Sequence, residues 1–167
     1  MGNEPASIIY RPIGVVRSPY VEPSGTPIQG ALAPEGEGTI EIFEQYAEGL
    51  ADLDGFSHIW AIYHFHRSEG FKLKVTPFMD DVERGVFSCR APRRPNPVGL
   101  SLLKLLRIEG SVLHVAELDI LDGTPVLDIK PHYPTVDTRP DVKSGWLDDV
   151  DSETRRKRGR ADGRFSG

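Results

Sequence analysis

The chain reads as a mainly β protein, a small closed barrel of short antiparallel strands with long loops and one short helix. Three observations point there. Apolar residues recur at strand-like intervals, and no stretch sustains a helical period over three turns. Turn-forming residues punctuate the 167 positions often, with 14 prolines and 17 glycines. The runs between turns are short, the pattern of a closed barrel or a sandwich.

The elements follow in order. Ile8-Ile9 and Ile13 to Val16 read as β, ending at Ser18-Pro19. Residues 19–38 hold Pro19, Pro23, Pro27 and Pro34 together with Gly25, Gly30, Gly36 and Gly38, too many breakers for a regular element. A loop of that length inside a compact domain is usually functional or disordered. Thr39 to Phe43 alternates polar residues with Ile40 and Ile42, a half-buried strand, and Glu44 to Leu50 suits a short helix. Ile59 to His66 is a strong strand pattern with Trp60, Ile62, His64 and His66 on one face. Phe71 to Val75 and Val86 to Cys89 read as shorter strands. Val98 to Ile108, the turn Gly110-Ser111 and Val112 to Leu118 make a long hairpin, with Val126 to Ile129 as the last strand. Residues 1–150 form one domain on this reading, and residues 151–167 a basic, disordered tail.

Composition bounds the function. Hydrophobic residues make up 38% and charged residues 27%, ordinary for a globular chain, and no apolar run approaches membrane-spanning length. Cys89 is the only cysteine, which excludes an internal disulfide and a cysteine-based zinc site. No basic region precedes an apolar stretch at the start, so no secretion signal is expected. Met1-Gly2 resembles a myristoylation start, but Ala6 stands where Ser or Thr is wanted. A cytoplasmic protein is the default. The net charge of −5 argues against a nucleic-acid binder, but its distribution is uneven. Residues 82–107 carry 6 basic and 1 acidic groups, as do residues 155–167. A local positive patch on an acidic body can attract a polyanion. The tail Arg155-Arg156-Lys157-Arg158-Gly159-Arg160 is then either a solubilising end or an RNA-touching arm.

The segment Cys89 to Gly99 concentrates the chemistry, with Arg90, Arg93, Arg94, Asn96 and three prolines in eleven residues. Each proline fixes its own φ and pushes the preceding residue to extended backbone, so the segment cannot be helix. Arginines on so stiff a backbone suit bidentate binding of phosphate or carboxylate. His64 and His66, at i and i+2, could bind a metal as in cupin-type barrels, or form a hydrogen-bonded pair. Asp119, in the run Glu117 to Pro125, stands at a strand end, where a carboxylate can accept from a ligand hydroxyl or amine or cap a turn. Asp128 and Lys130 share a strand face ahead of Pro131-His132-Tyr133. No P-loop, third-glycine dinucleotide turn or nucleophile elbow is present.

Four segments, Ile13 to Pro19, Gly55 to Trp60, Arg90 to Gly99 and Asp119 to Pro131, closely resemble the TsaA-like (TrmO) family, in that family's order and across about residues 12–135. The resemblance implies a small β-barrel that binds S-adenosylmethionine without a Rossmann fold, as a homodimer. It also implies methylation of N6 of threonylcarbamoyladenosine beside the tRNA anticodon. By position, Pro27, Ile28, Gln29, His66, Arg67, Arg90, Leu100, Ala116, Glu117, Leu118 and Asp119 would form the cofactor pocket. Asp128, as a base, with Asn96 and Lys130 would serve the reaction. Arg93, Arg94 and Tyr133 would meet the RNA of the anticodon loop. Departures fall at Ile28, where an arginine is common, at Ala91 and Arg93 in place of serine and histidine, and at the inserted His132. The extra C-terminal domain of longer relatives is not expected. Two other readings stand beside this one: a non-enzymatic S-adenosylmethionine- or RNA-binding module, and a metal-dependent barrel enzyme using His64 and His66.

Overall fold

The computed structural model describes residues 7–165, so the myristoylation-like start at Met1-Gly2 and Ala6 lies outside the described residues. The strands are β1 (Gly14–Arg17), β2 (Glu37–Ile42), β3 (His58–His64), β4 (Lys74–Val75), β5 (Arg84–Gly85), β6 (Val98–Glu109), β7 (Val112–Ala116) and β8 (Pro125–Pro131). Six of them close an antiparallel barrel in the order β1-β2-β7-β6-β3-β8, and β1 completes the ring by pairing with both β2 and β8. β4 and β5 form a separate two-stranded ribbon. Closure removes the free edges that an open sheet would present.

Alternation along the strands fills the interior. Val16, Ile40, Ile42, Ile59, Ala61, Tyr63, Leu103, Leu105, Leu113, Val115 and Val126 are buried there, joined by Leu118 and Ile120 from the segment after β7. Gly99 sits opposite Tyr63, and a Cβ at Gly99 would collide with the tyrosine ring. The glycine therefore lets the largest inward side chain of β3 lie flat against β6. One register shift decides a whole face. Ile62 pairs with Asp128 while Tyr63 pairs with Val126, so Leu127 is an extra residue in β8. A bulge inverts the alternation. Val126 thus points into the core, while Asp128 and Lys130 point outward with Ile62 and Trp60.

Several sequence expectations are corrected. Ile8 and Ile9 are exposed coil, with no strand beside them. The strand expected from Phe71 shrinks to Lys74–Val75, and Val86 to Cys89 is a 3-10 turn behind the two residues of β5. β3 ends at His64, so His66 lies beyond the strand and the two histidines do not share a strand face. The hairpin strand ends at Ala116, where Glu117 adopts a left-handed φ of 59°. The expected short helix is a 3-10 helix over Glu44–Leu50.

The tail departs most. A helical turn α1 (Pro134–Asp137) leads towards α2 (Ser152–Lys157), whose first turn is capped by Asp151 accepting from the Thr154 N–H at 2.7 Å. Beyond it Arg160 forms an antiparallel bridge with Pro27, and Phe165 packs on a small cluster of Val75, Val86 and Ala91. Residues 151–165 are folded against the loops around Pro27 and Pro77 rather than disordered. A run of like charge looks solvated in sequence because its partners, here in distant loops, are invisible. Among the described residues no helix is long and apolar enough to cross a membrane.

Replacing Gly99 by alanine should lower stability by about 1–3 kcal/mol through overpacking against Tyr63. Gly85→Ala, which meets open space, is the control. A Gly99→Ala protein with the parent's urea midpoint would contradict this account of the barrel interior.

Candidate active site

A cavity of about 900 Å3 opens at one end of the barrel, between the loop around Pro27, the Pro-Arg segment and the folded tail. Its floor is built around Asp119. The left-handed turn at Glu117 ends β7 and carries the chain inward, burying Leu118 and Ile120 and presenting Asp119 to the cavity. Ser101 donates its hydroxyl to Asp119 Oδ1 at 2.6 Å, and the Gly30 N–H donates to Oδ2 at 3.0 Å. Ser101 has one hydroxyl hydrogen, so the Tyr63 hydroxyl, 3.0 Å from Ser101 Oγ, is the donor in that contact. Gly30 can approach only because it lacks a side chain, since a Cβ there would collide with the Glu117 carbonyl.

Burial pushes the Asp119 carboxyl up to about 6, against the opposing pull of Ser101, the Gly30 amide and the Arg90 charge. The raised value means that ionisation opposes folding: the difference is fully favourable at low pH and is lost as pH rises through about 6, about 3 kcal/mol in all. Burial likewise pushes the Tyr63 hydroxyl far above its ordinary range, which keeps it a donor.

The wall carries the positive charge. Arg90 is exposed on the cavity side and donates through Nη1 to Gln29 Oε1 at 2.7 Å, joining the Pro-Arg segment to the Pro27–Gln29 loop. His66 accepts from or donates to Thr124 Oγ1 at 3.2 Å, and partial burial, then the Arg67 charge, lowers its pKa. Arg67 holds the Val21 carbonyl at 2.7 Å and the Glu22 carboxylate at 3.3 Å. Phe78, Phe87, Trp146 and Phe165 add apolar surface.

The structure thus brings Pro27, Ile28, Gln29, His66, Arg67, Arg90, Leu100 and Asp119 to one cavity. Ala116, Glu117 and Leu118 do not line it; they shape the turn that delivers Asp119. Arg94 lines it but turns its guanidinium onto its own segment, donating to the Cys89 and Ala91 carbonyls at 3.1 Å each. Arg93, Asn96, Asp128, Lys130 and Tyr133 lie outside the lining. Asp128 and Lys130 pair at 2.9 Å on the outer face, and Tyr133 stacks near Phe56 with ring centroids 5.7 Å apart. In register, Leu100, Ile62 and Asp128 stand side by side across β6, β3 and β8. Asp128 is therefore two strand spacings, roughly 10 Å, from a residue of the cavity rim.

Sequence reasoning missed Tyr63, Ser101 and the tail's contribution. The inward alternation of β3 and β6 could have paired Tyr63 with Ser101, but no local signal linked them to Asp119. Among the described residues no group of three or more histidine, cysteine or acidic side chains could hold a metal ion, and His64 and His66 are separated by the end of β3.

Residues 15–138 match the family described as the tRNA-methyltransferase O N-terminal domain. The chain is similar to the "Probable S-adenosyl-L-methionine-binding protein" of Pyrococcus abyssi, 48% identical over 161 residues that cover 96% of this chain and 86% of that protein. It is 34% identical over 151 residues to the tRNA (adenine(37)-N6)-methyltransferase of Escherichia coli, covering 84% of this chain and 64% of the other. A crystal structure of TrmO from Pseudomonas aeruginosa superposes with a TM-score of 0.72 at 36% identity, covering 84% of this chain and 63% of that one. The chain thus spans less than two thirds of these two longer relatives. The chain belongs to the tRNA-methyltransferase O N-terminal domain family.

Proposed function

We propose that the protein is an S-adenosylmethionine-dependent tRNA methyltransferase, acting on N6 of threonylcarbamoyladenosine beside the anticodon. The observation that carries the reading is convergence. Residues that the family resemblance assigns to the cofactor, from Pro27, Gln29 and Arg90 to Asp119, come from four distant parts of the chain and line one cavity. Names of relatives that bind S-adenosylmethionine or methylate tRNA adenine support it.

The donor set fits that cofactor. It joins a carboxylate and a methionine carboxylate-binding arginine to apolar walls suited to an adenine ring. Bound, the cofactor supplies an electrophilic methyl group on a sulfonium. Arg90, held by Gln29, grips a carboxylate. Asp119 accepts from a hydroxyl or an ammonium group, with Ser101 and Gly30 fixing both its oxygens. The aromatic walls exclude water, which strengthens these contacts and aligns the reacting atoms for in-line displacement. Asp128, Lys130 and Asn96 lie outside the cavity and are assigned to the RNA side, approached from the outer face, where they orient the substrate rather than take the proton from its reacting nitrogen. Lys130, paired with Asp128 at 2.9 Å, fixes the direction of that carboxylate. Arg93 and Tyr133 would contact the RNA backbone and an unstacked base.

A homodimer working in the cytoplasm completes the reading. Val98 and Leu100, exposed where β6 meets the cavity rim, continue into Ile62 of β3, which gives a second copy an apolar surface to cover beside the cavity. Light scattering should return twice the mass of one chain; a monomer at micromolar concentration would refute the dimer.

Calorimetry should detect S-adenosylmethionine binding, and Arg90→Ala should weaken it at least tenfold, about 1.5–3 kcal/mol for a charged hydrogen bond. Absence of binding by the intact protein would sink the proposal. Nucleoside mass spectrometry of tRNA from a deletion strain should show the unmethylated adenosine, restored by the intact gene. Cofactor binding with unaltered tRNA would instead favour a non-enzymatic module. Because an ionised Asp119 accepts more strongly than the protonated acid, affinity should be constant well above pH 6 and fall below it. Asp119→Asn should bind weakly and lose that dependence; a flat profile from pH 8 to 5 in the parent would contradict the role of Asp119.

A further inference from the structure

The family match ends at residue 138, yet the chain continues through a folded segment that reaches back to the cavity. That segment touches two loops on opposite sides of the mouth. On one side Gly159 to Ala161 runs antiparallel to Gly25 to Ile28. The Ile28 N–H donates to the Gly159 carbonyl at 3.0 Å, the Ala161 N–H to the Thr26 carbonyl at 2.7 Å, and the Gly25 N–H to the Ala161 carbonyl at 2.8 Å. Pro27, between them, has no N–H to offer. Arg160 adds a bond to the Gly25 carbonyl at 2.9 Å and a 3.2 Å contact with Glu35. On the other side Arg158 makes a bidentate pair with Asp81, both contacts at 3.0 Å. Arg164 donates to the Pro77 carbonyl at 2.7 Å and lies over the Phe78 ring, against which Phe165 packs edge-on at 4.9 Å.

We propose that residues 158–165 are a staple that positions the cofactor loop, clamping Gly25 to Ile28 to the Pro77–Asp81 loop so that Gln29 and Gly30 reach Arg90 and Asp119. The proposal rests on the cofactor reading above for its binding consequence, but its structural claim is independent of it. Two features single out the staple. The strand-like pairing lies immediately before Gln29 and Gly30, the two residues that contact Arg90 and Asp119. And the buried core of the barrel contains no residue of the staple, so its removal acts on the mouth rather than on the fold. Arg158, Arg160 and Arg164 are positioning residues here, with their guanidinium groups engaged inside the molecule. An arm sweeping solvent for RNA would leave them outward.

Four proteins test this: the full chain, a truncation after Lys157, Arg158→Asp, and the exchanged pair Asp81→Arg with Arg158→Asp. Amide hydrogen exchange is followed at residues 25–30 and at the barrel strands, and S-adenosylmethionine affinity is measured by calorimetry. Truncation should speed exchange at Ile28 and Gly30 at least tenfold, leave β3 and β6 protected, and raise the dissociation constant at least tenfold. Arg158→Asp should raise it severalfold, and the exchanged pair should recover most of the loss, which a merely bulky tail would not do. Unchanged exchange at residues 25–30 overturns the staple. So does an affinity within twofold of the full chain in both the truncation and Arg158→Asp. If the full chain binds no cofactor while truncation still frees residues 25–30, the staple stands and the cofactor reading falls.

Discussion

Burying the Asp119 carboxylate takes a charge out of water, and the groups that offset the loss come from separate parts of the chain. Ser101 reaches it from β6, the Gly30 amide from the long early loop, and Arg90 from the Pro-Arg segment. Each of these pulls the carboxyl back towards ionisation, so the geometry of the cavity and the charge of its floor are coupled. Tyr63 extends the dependence into the barrel, since it donates to Ser101 and can lie there only because Gly99 has no side chain. The acid's pKa near 6 records the balance: desolvation is the largest influence, and the hydrogen bonds recover only part of it. Such a residue is poor as a stabilising element and well suited to meeting a ligand that supplies the missing positive or donor group.

Much of the architecture was legible because it follows from alternation. Ile40 and Ile42, Val112 to Val115, and the turn at Gly110-Ser111 carry period-two burial and a left-handed glycine, and they fold as read. What sequence could not show was phase across a bulge. Read straight, Val126, Asp128 and Lys130 share a face, and the extra Leu127 is what parts the core valine from the two charged residues. The histidines failed for a related reason: their spacing suits one face only while the strand lasts, and it stops at His64. Family resemblance pointed to the Pro27–Gln29 loop, Arg90 and Asp119, and these line one cavity. Ser101 and Tyr63 were not, because a buried hydroxyl in a strand looks like any other inward residue until its partner is known.

The tail shows a second limit. Its composition is that of a solvated segment, yet Arg158, Arg160 and Arg164 each find carboxylates or carbonyls far away in sequence. Charge density predicts the need for partners, not where they are. Exposed ion pairs of this kind are individually weak. They matter here because backbone hydrogen bonds and a Phe165–Phe78 contact act together with them on two loops of the cavity mouth.

The arginines of the Pro-Arg segment now separate by what each guanidinium touches. Arg94 folds back on the Cys89 and Ala91 carbonyls, so it stiffens the segment beyond what three prolines achieve. Arg90, on the same stiffened backbone, faces the cavity and is aimed by Gln29 rather than by a carboxylate. That choice of partner matters. A neutral amide orients the guanidinium without neutralising it, leaving its charge for an anionic group, whereas an aspartate in the place of Gln29 would compete with that group. Beyond Leu100 the apolar strip through Ile62 leads to the Asp128–Lys130 pair, where charge is already balanced. Arg90, which makes no ion pair of its own among the described residues and meets the Asp119 charge only across the cavity floor, leaves a guanidinium for an anionic group, whereas the Asp128–Lys130 pair outside already has its charge matched.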